Sequence, residues 1–380
     1  MTATVLAWVF WGTAMLLLFT YAGYPALLAF MVRIRRARLE SPGVPMVEAG
    51  LDMAAVLVVR NEERSIRARL ENLLATDSPA LKEIIVVCDG CTDATAEMAE
   101  QFPDARVRVL HVNPGRGKPA GVNAGVLAAI SDVVVLCDVR QRFLPDTLPR
   151  LLSWFADPAT GAVSGALEIE PSTSGTGQGV DAYWKMEKLI RRLESDLDSS
   201  VGCTGAVYAV RRAAFQPIKE DTLLDDVVIP MQIAAQGLRV RFCPEAVAFD
   251  PQTLAGPSEH RRKVRTLAGN FQLLFRHPQW LVPWGHRLWW KLIAHKYLRL
   301  TGPLMLAILL FCSWMLGGQP LYRGMFLAQM CLYAGAVLAW CLPGLKVRML
   351  SMAAGFLFLQ VCIVRGFFWW LRMKPRAGWK

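Results

Sequence analysis

Charged residues are scarce in this chain of 380: 19% are Asp, Glu, Lys or Arg, against roughly a quarter in an ordinary soluble domain. Histidine is scarcer still, with five residues and none at zinc-site spacing. The nine cysteines are scattered. Cys312, Cys331, Cys341 and Cys362 fall within apolar stretches and read as small hydrophobes. Cys88 and Cys91 form an isolated C-x-x-C with no second pair, so they read as turn residues, and a disulfide framework is excluded. There is no internal repeat, no low-complexity tract and no recognisable nucleic-acid module.

What is abundant is apolar: 54% of the residues, with a positive mean hydropathy. A bilayer core takes about 20 consecutive apolar residues per crossing, so part of the chain is expected in lipid and one soluble domain remains. The formal charge is +11, but its basic residues gather at RIRRAR, EHRRKVR and RMKPR, each beside an apolar segment or a domain edge. That placement suits an anionic membrane surface and not nucleic acid.

Val5 to Val32 is apolar and lacks a signal peptide's basic start and small-residue cleavage site, so residues 1–33 read as an uncleaved anchor. RIRRAR follows, and the excess of Lys and Arg on cytoplasmic flanks places the rest in the cytosol. A linker is expected over 34–52. Over 53–258, short β-branched runs such as AAVLVV, EIIVVCD and DVVVLCD alternate with helical segments, an α/β pattern with a mainly parallel, Rossmann-like sheet. Residues 259–297 mix cations with Trp280, Trp284, Trp289 and Trp290, as for helices in the headgroup layer. Residues 298–372 read as about three spans and 373–380 as a basic tail. Arg365, inside the last span, is expected to face protein or water, and one span is expected to be re-entrant or interfacial, because four crossings would leave that tail outside.

In a parallel sheet, ligands gather at the carboxyl ends of strands. The first such end carries Arg60, Asn61 and Glu62, suited to a nucleoside. The second carries Asp89, which can accept from a nucleobase N–H, followed by Asp93 as a helix cap. NPGRGKPAGVNAG brings glycines, Arg116 and Lys118 to a helix start, a setting for a diphosphate although not a P-loop. DVVVLCDVRQ ends in Asp138, Arg140 and Gln141, where Asp138 could hold a divalent cation. DTLLDDVVIPMQ opens a helix with Asp225 and Asp226, whose mutual repulsion should raise one pKa and suit it to taking a hydroxyl proton.

In this order, the five segments resemble the family 2 glycosyltransferases, in particular the membrane-anchored group of cellulose, hyaluronan and poly-N-acetylglucosamine synthases. The resemblance implies a GT-A fold and an inverting transfer from a UDP-sugar to a glycan or polyprenyl-linked acceptor. It puts the enzyme in a bacterial inner membrane with its catalytic domain cytoplasmic, in contact with the bilayer and with a possible export-path subunit. Asp89 would contact uracil, Glu62 and Lys118 would frame the nucleotide beside Arg60 and Arg140, and Asp138 would serve the diphosphate and Mg2+ or Mn2+. Asp226 would be the general base, preceded by Asp225. Gly202, Cys203, Thr204 and Gly205 would line the acceptor pocket.

The sequence departs from the family twice. Arg140 stands where the D-x-D motif has its second aspartate, and it could offset phosphate charge itself. In the degenerate Q-x-x-R-W, Arg265 matches the arginine, Arg262 replaces the glutamine and Thr266 the tryptophan, which favours limited or single addition over a processive, polymer-exporting synthase. A sugar-1-phosphate nucleotidyltransferase would carry its glycine-rich signature at the first strand, where this chain has VVRNEE.

Overall fold

The computed structural model describes residues 2–38, 50–169, 175–250, 257–341 and 347–372. Eight strands form one sheet: β1 (Met53–Val59), β2 (Leu81–Asp89), β3 (Val107–Val112), β4 (Val133–Cys137), β5 (Arg142–Phe143), β6 (Thr160–Ile169), β7 (Val207–Arg211) and β8 (Arg239–Asp250), in the order β3-β2-β1-β4-β7-β6-β8-β5. β1, β2, β3 and β4 pair in parallel, as do β6 and β8, while β7 runs antiparallel to β4 and β6, and β5 to β8. Every residue of β1 and β4 is buried, because both faces of the sheet are covered. The chain steps outward from β1 to β3 and then returns to place β4 on the other side of β1. That reversal leaves a crevice at the carboxyl ends of β1 and β4.

The first membrane element comprises α1 (Ala3–Leu18), a π-helical turn and α2 (Tyr24–Arg38). Helix therefore runs on to residue 38, past the expected boundary at 33; residues 39–49 of the expected linker lie outside the described residues. Around the sheet lie α3 (Ile66–Leu74), α4 (Thr95–Glu100), α5 (Lys118–Ala128), α6 (Thr147–Ser153), α7 (Gly175–Leu197) and α8 (Asp225–Ala235). α9 (Pro257–Arg276) follows, then short turns α10 (Trp289–Leu292) and α11 (Leu298–Leu300), and finally α12 (Gly302–Met315), α13 (Pro320–Cys341) and α14 (Arg348–Leu371). α14 packs on α9 and α7, and α1 on α12, so the apolar helices are joined directly to the sheet domain.

Among the described residues three helices are long and apolar enough to cross a membrane: residues 3–35, Pro320–Cys341 and Met349–Leu371. Residues 289–300 and 302–315 meet at 58° and would make a fourth crossing only if the bent pair counted as one span. This is the segment whose crossing would break the parity of the charge rule. Arg365 lies 3.0 Å from His260 Nε2 on α9, so its guanidinium faces protein. The expected basic tail, residues 373–380, lies outside the described residues.

The headgroup-layer expectation for 259–297 is corrected in its second half. Trp284 is exposed, but Trp280, His286, Leu288, Lys291, Leu292 and His295 are buried. The cause is specific pairing with the catalytic domain: Lys291 Nζ donates to the carbonyls of Glu194 and Ser199, each at 3.0 Å, and Arg287 meets Asp198 at 3.0 Å. Cations that satisfy protein carbonyls and carboxylates are not available to lipid.

Candidate active site

A cavity of about 440 Å³ opens at the β1 and β4 strand ends. Its wall at the strand ends holds Arg60 and Glu62 after β1, Asp138 and Arg140 after β4, and Lys118 at the start of α5. Burial lifts the Glu62 carboxyl above its ordinary range, against the pull of Arg140. Lys118 Nζ donates to Asp138 Oδ1 at 2.9 Å and lies 3.6 Å from Asp225 Oδ2, so one ammonium ties the β4 end to the start of α8. Burial pulls its pKa down, but Asp138, Asp225 and Asp226 outweigh that and hold it above the ordinary lysine value.

Asp225 and Asp226 both line the cavity, at the first turn of α8. Burial first, and then Asp225 beside it, push the Asp226 carboxyl up to about 6, against Lys118, Arg191 and Lys296, which pull it down. A carboxylate so poised can accept a proton from a hydroxyl near neutral pH. Its bed is the segment from Gly202 to Gly205. Cys203 N donates to Asp226 O at 2.7 Å, and a Cβ on Gly205 would come within 3.1 Å of Asp226 Oδ2. Cys203, Thr204 and Gly205 line the cavity; Gly202, at φ +93°, lies behind it against the backbone of Asp226.

Asp89 does not line the cavity. Its carboxylate is fully buried and accepts from Arg116 N at 2.6 Å and Gly117 N at 2.8 Å, which fixes the loop that delivers Lys118. Gly90, at φ +64°, lets that loop approach: a Cβ there would come within 2.9 Å of the Gly115 backbone. The Arg116 side chain, read from sequence as a diphosphate group, turns away to pair with Glu220. Asp93, expected as the helix cap, stands one residue before the N-cap Ala94, with its Oδ1 accepting from Thr95 N at 3.1 Å.

From α9, Arg262 and Arg265 face the cavity with Lys263, and Arg262 lies 3.8 Å from the buried Asp250. Arg261 is exposed and outside the lining. Sequence reasoning missed the wall formed by Glu187 and Arg191 of α7, His295, Lys296, Arg299, and Tyr21 and Gln360 of the membrane helices. The only signal for it was charged residues in segments otherwise read as surface.

Among the described residues no group of three His, Cys, Asp or Glu side chains could hold a metal. Asp138 uses Oδ1 for Lys118 and has no protein partner at Oδ2 among those residues. One free carboxylate oxygen beside the cationic wall of Arg60, Lys118 and Arg140 fits a divalent ion that takes most of its oxygens from substrate and water.

Residues 54–218 match the family described as Glycosyl transferase family 2. These residues are thus similar to a family 2 glycosyltransferase domain. The chain is 27% identical over 231 residues to the poly-beta-1,6-N-acetyl-D-glucosamine synthase of Staphylococcus aureus (strain COL), and 25% identical over 233 residues to that of Staphylococcus epidermidis. Each alignment covers 58% of this chain and 55% of the relative, so the chain spans about half the length of the curated relatives it matches. In fold, it is similar to a mannosyltransferase from Pyrobaculum calidifontis in complex with GDP-Man and Mn2+, at a TM-score of 0.70 and 22% identity over 94% of this chain and 98% of that one. The fold expectation of a GT-A domain flanked by apolar helices at both ends therefore holds.

Proposed function

We propose that the protein is an inverting, membrane-embedded transferase that moves a sugar from a nucleotide-sugar, preferably a UDP-N-acetylhexosamine, to a membrane-associated glycan, adding one or a few residues. The observation that carries this reading is the convergence on one cavity of Asp226, raised to about 6, with Lys118 and Asp138 at the strand ends. The poly-N-acetylglucosamine synthase relatives favour the amino sugar. The same likeness supports a processive synthase as the second reading, against which stand Arg262 and Thr266 in place of glutamine and tryptophan.

In this reading the nucleoside lies against Arg60 and Glu62, with Asp89 fixing the loop beneath it. Lys118, Arg140 and Arg265 meet the diphosphate. Asp138 would hold Mg2+ or Mn2+ through Oδ2, and such an ion offsets phosphate charge as the nucleotide departs. Asp226 takes the acceptor hydroxyl proton as that oxygen attacks the anomeric carbon, and Thr204 and Gly205 keep the acceptor beside it. A single displacement with one base opposite the leaving group inverts the centre. The charge rule sets the catalytic domain in the cytosol of a bacterial inner membrane. With three crossings, α14 would end on that same side.

The test is nucleotide release by the purified full-length protein with UDP-N-acetylglucosamine, UDP-glucose and GDP-mannose in turn. Release from the first, with the anomeric centre inverted in the product, is expected. Release from none of them in the presence of membrane glycan would overturn the reading.

A further inference from the structure

The cavity does not end at Asp226. It continues to Tyr21 in the first membrane helix and to Leu359, Gln360 and Ile363 in the last. Between these ends lie three cations, Arg191, Lys296 and Arg299. Arg191 donates through Nη1 to Thr204 Oγ1, within the bed of Asp226, and its buried Nε has no hydrogen-bond partner. Arg299 pairs with Glu187, the one carboxylate lining this half. Glu187 is also held by His295 Nε2 at 2.9 Å, and its carboxyl lies well below the usual range: burial would raise it, but Arg299 and His295 prevail. Glu194 behind it is taken up by Tyr24, His295 and Val201 N. Among the described residues no carboxylate stands within ion-pair distance of Lys296.

Positive charge in an enclosed site is costly unless an anion answers it. On the strand-end half Lys118 already has both Asp138 and Asp225. On the membrane side Arg191, Lys296 and Arg299 face the single lining carboxylate Glu187 among the described residues, and there Leu300, Leu359 and Ile363 add apolar surface and Tyr21 is the one Phe, Trp or Tyr in the described lining. A neutral sugar chain would find few flat rings to stack on, whereas a phosphate carried on an apolar chain would find both of its needs met. We propose that this half of the cavity is a phosphate subsite in which Arg191, Lys296 and Arg299 hold the phosphate or diphosphate of a lipid-borne acceptor while its glycan reaches Asp226. The subsite deepens the transferase reading, and its role as an acceptor site rests on that reading.

The test is equilibrium binding of farnesyl diphosphate to the full-length protein in phosphatidylcholine nanodiscs, with farnesol and inorganic pyrophosphate as controls and saturating UDP present or absent. A charge-assisted hydrogen bond contributes about ten- to a hundredfold in affinity. Farnesyl diphosphate should bind at least about tenfold tighter than either control, and saturating UDP should not displace it. Lys296→Gln should weaken it by about tenfold or more, with Lys296→Arg restoring most of the loss. Affinity equal to that of farnesol or of pyrophosphate overturns the subsite. So do displacement by UDP, competition by phosphatidylglycerol and an unaffected Lys296→Gln. If binding fails while nucleotide is still released from a UDP-sugar, this inference alone falls; if binding holds and no nucleotide-sugar is consumed, the transferase reading and the acceptor role fall together.

Discussion

At the scale of single residues, the account turns on how Asp226 is held. Its raised pKa has two consequences of known sign. As the acceptor's base it must be ionised, so turnover should fall about tenfold per pH unit below roughly pH 6, a limb that a kcat profile would reveal. In stability the sign is opposite: a carboxyl raised by folding favours the folded state while protonated and loses that contribution as pH rises through about 6. Asp226→Asn should therefore melt at or above the wild-type temperature at pH 7.5, as a differential scanning measurement would show. Gly205→Ala tests the bed itself. Its Cβ would press on Asp226 Oδ2 from 3.1 Å and shift the carboxylate by a few tenths of an ångström, so turnover should drop on the order of tenfold with donor KM little changed. On α9, Arg265→Lys should cut turnover strongly because lysine cannot copy a guanidinium's two-pronged grip on phosphate. Arg261→Lys should do little, since Arg261 lies outside the cavity lining; equal activity of both variants would return the segment to a surface role.

At the scale of elements, the loop before α8 is clamped from three sides. Gln272 on α9 accepts from Leu223 N at 2.9 Å and donates to Asp221 O at 2.8 Å, and Arg276 grips Asp221 through both nitrogens. From α5, the Asn123 amide exchanges bonds with both the N–H and the carbonyl of Ile218. Gln272→Leu would leave two backbone groups unpaired and should cost about 1 to 3 kcal/mol in denaturant unfolding, with kcat lowered more than donor KM is raised. These clamps also mark the limit of what the sequence reveals. β1, β2 and β4 are legible as unbroken apolar runs, and the residues just past them are legible because parallel strands expose only their carboxyl ends to ligand. Asp89 reads the same way, yet both its oxygens meet backbone N–H groups, since a strand-end carboxylate can serve a loop as readily as a ligand. The antiparallel half through β7 was not legible, because strand direction depends on which edge the chain returns to. Glu187, Arg191 and Lys296 were hidden for another reason: on a helix, a charge turned toward a buried cavity has the same spacing as one turned toward water.

At the scale of the whole molecule, the catalytic sheet and the apolar helices form one continuous structure. α7 touches α2 on one side and α14 on another, and both membrane ends contribute to the cavity that contains Asp226. In the function proposed above, the nucleotide-sugar would enter from the strand-end face and the acceptor from the side of the apolar helices, and the two would meet at Asp226. The most direct test compares donor binding with turnover in Asp226→Asn, using full-length protein in nanodiscs, titration calorimetry for UDP, and nucleotide release from a UDP-sugar in the presence of membrane glycan. The account predicts UDP affinity within about twofold of wild type and turnover lower by at least about a hundredfold. Turnover close to wild type, or a loss of UDP affinity as large as the loss of turnover, would contradict it.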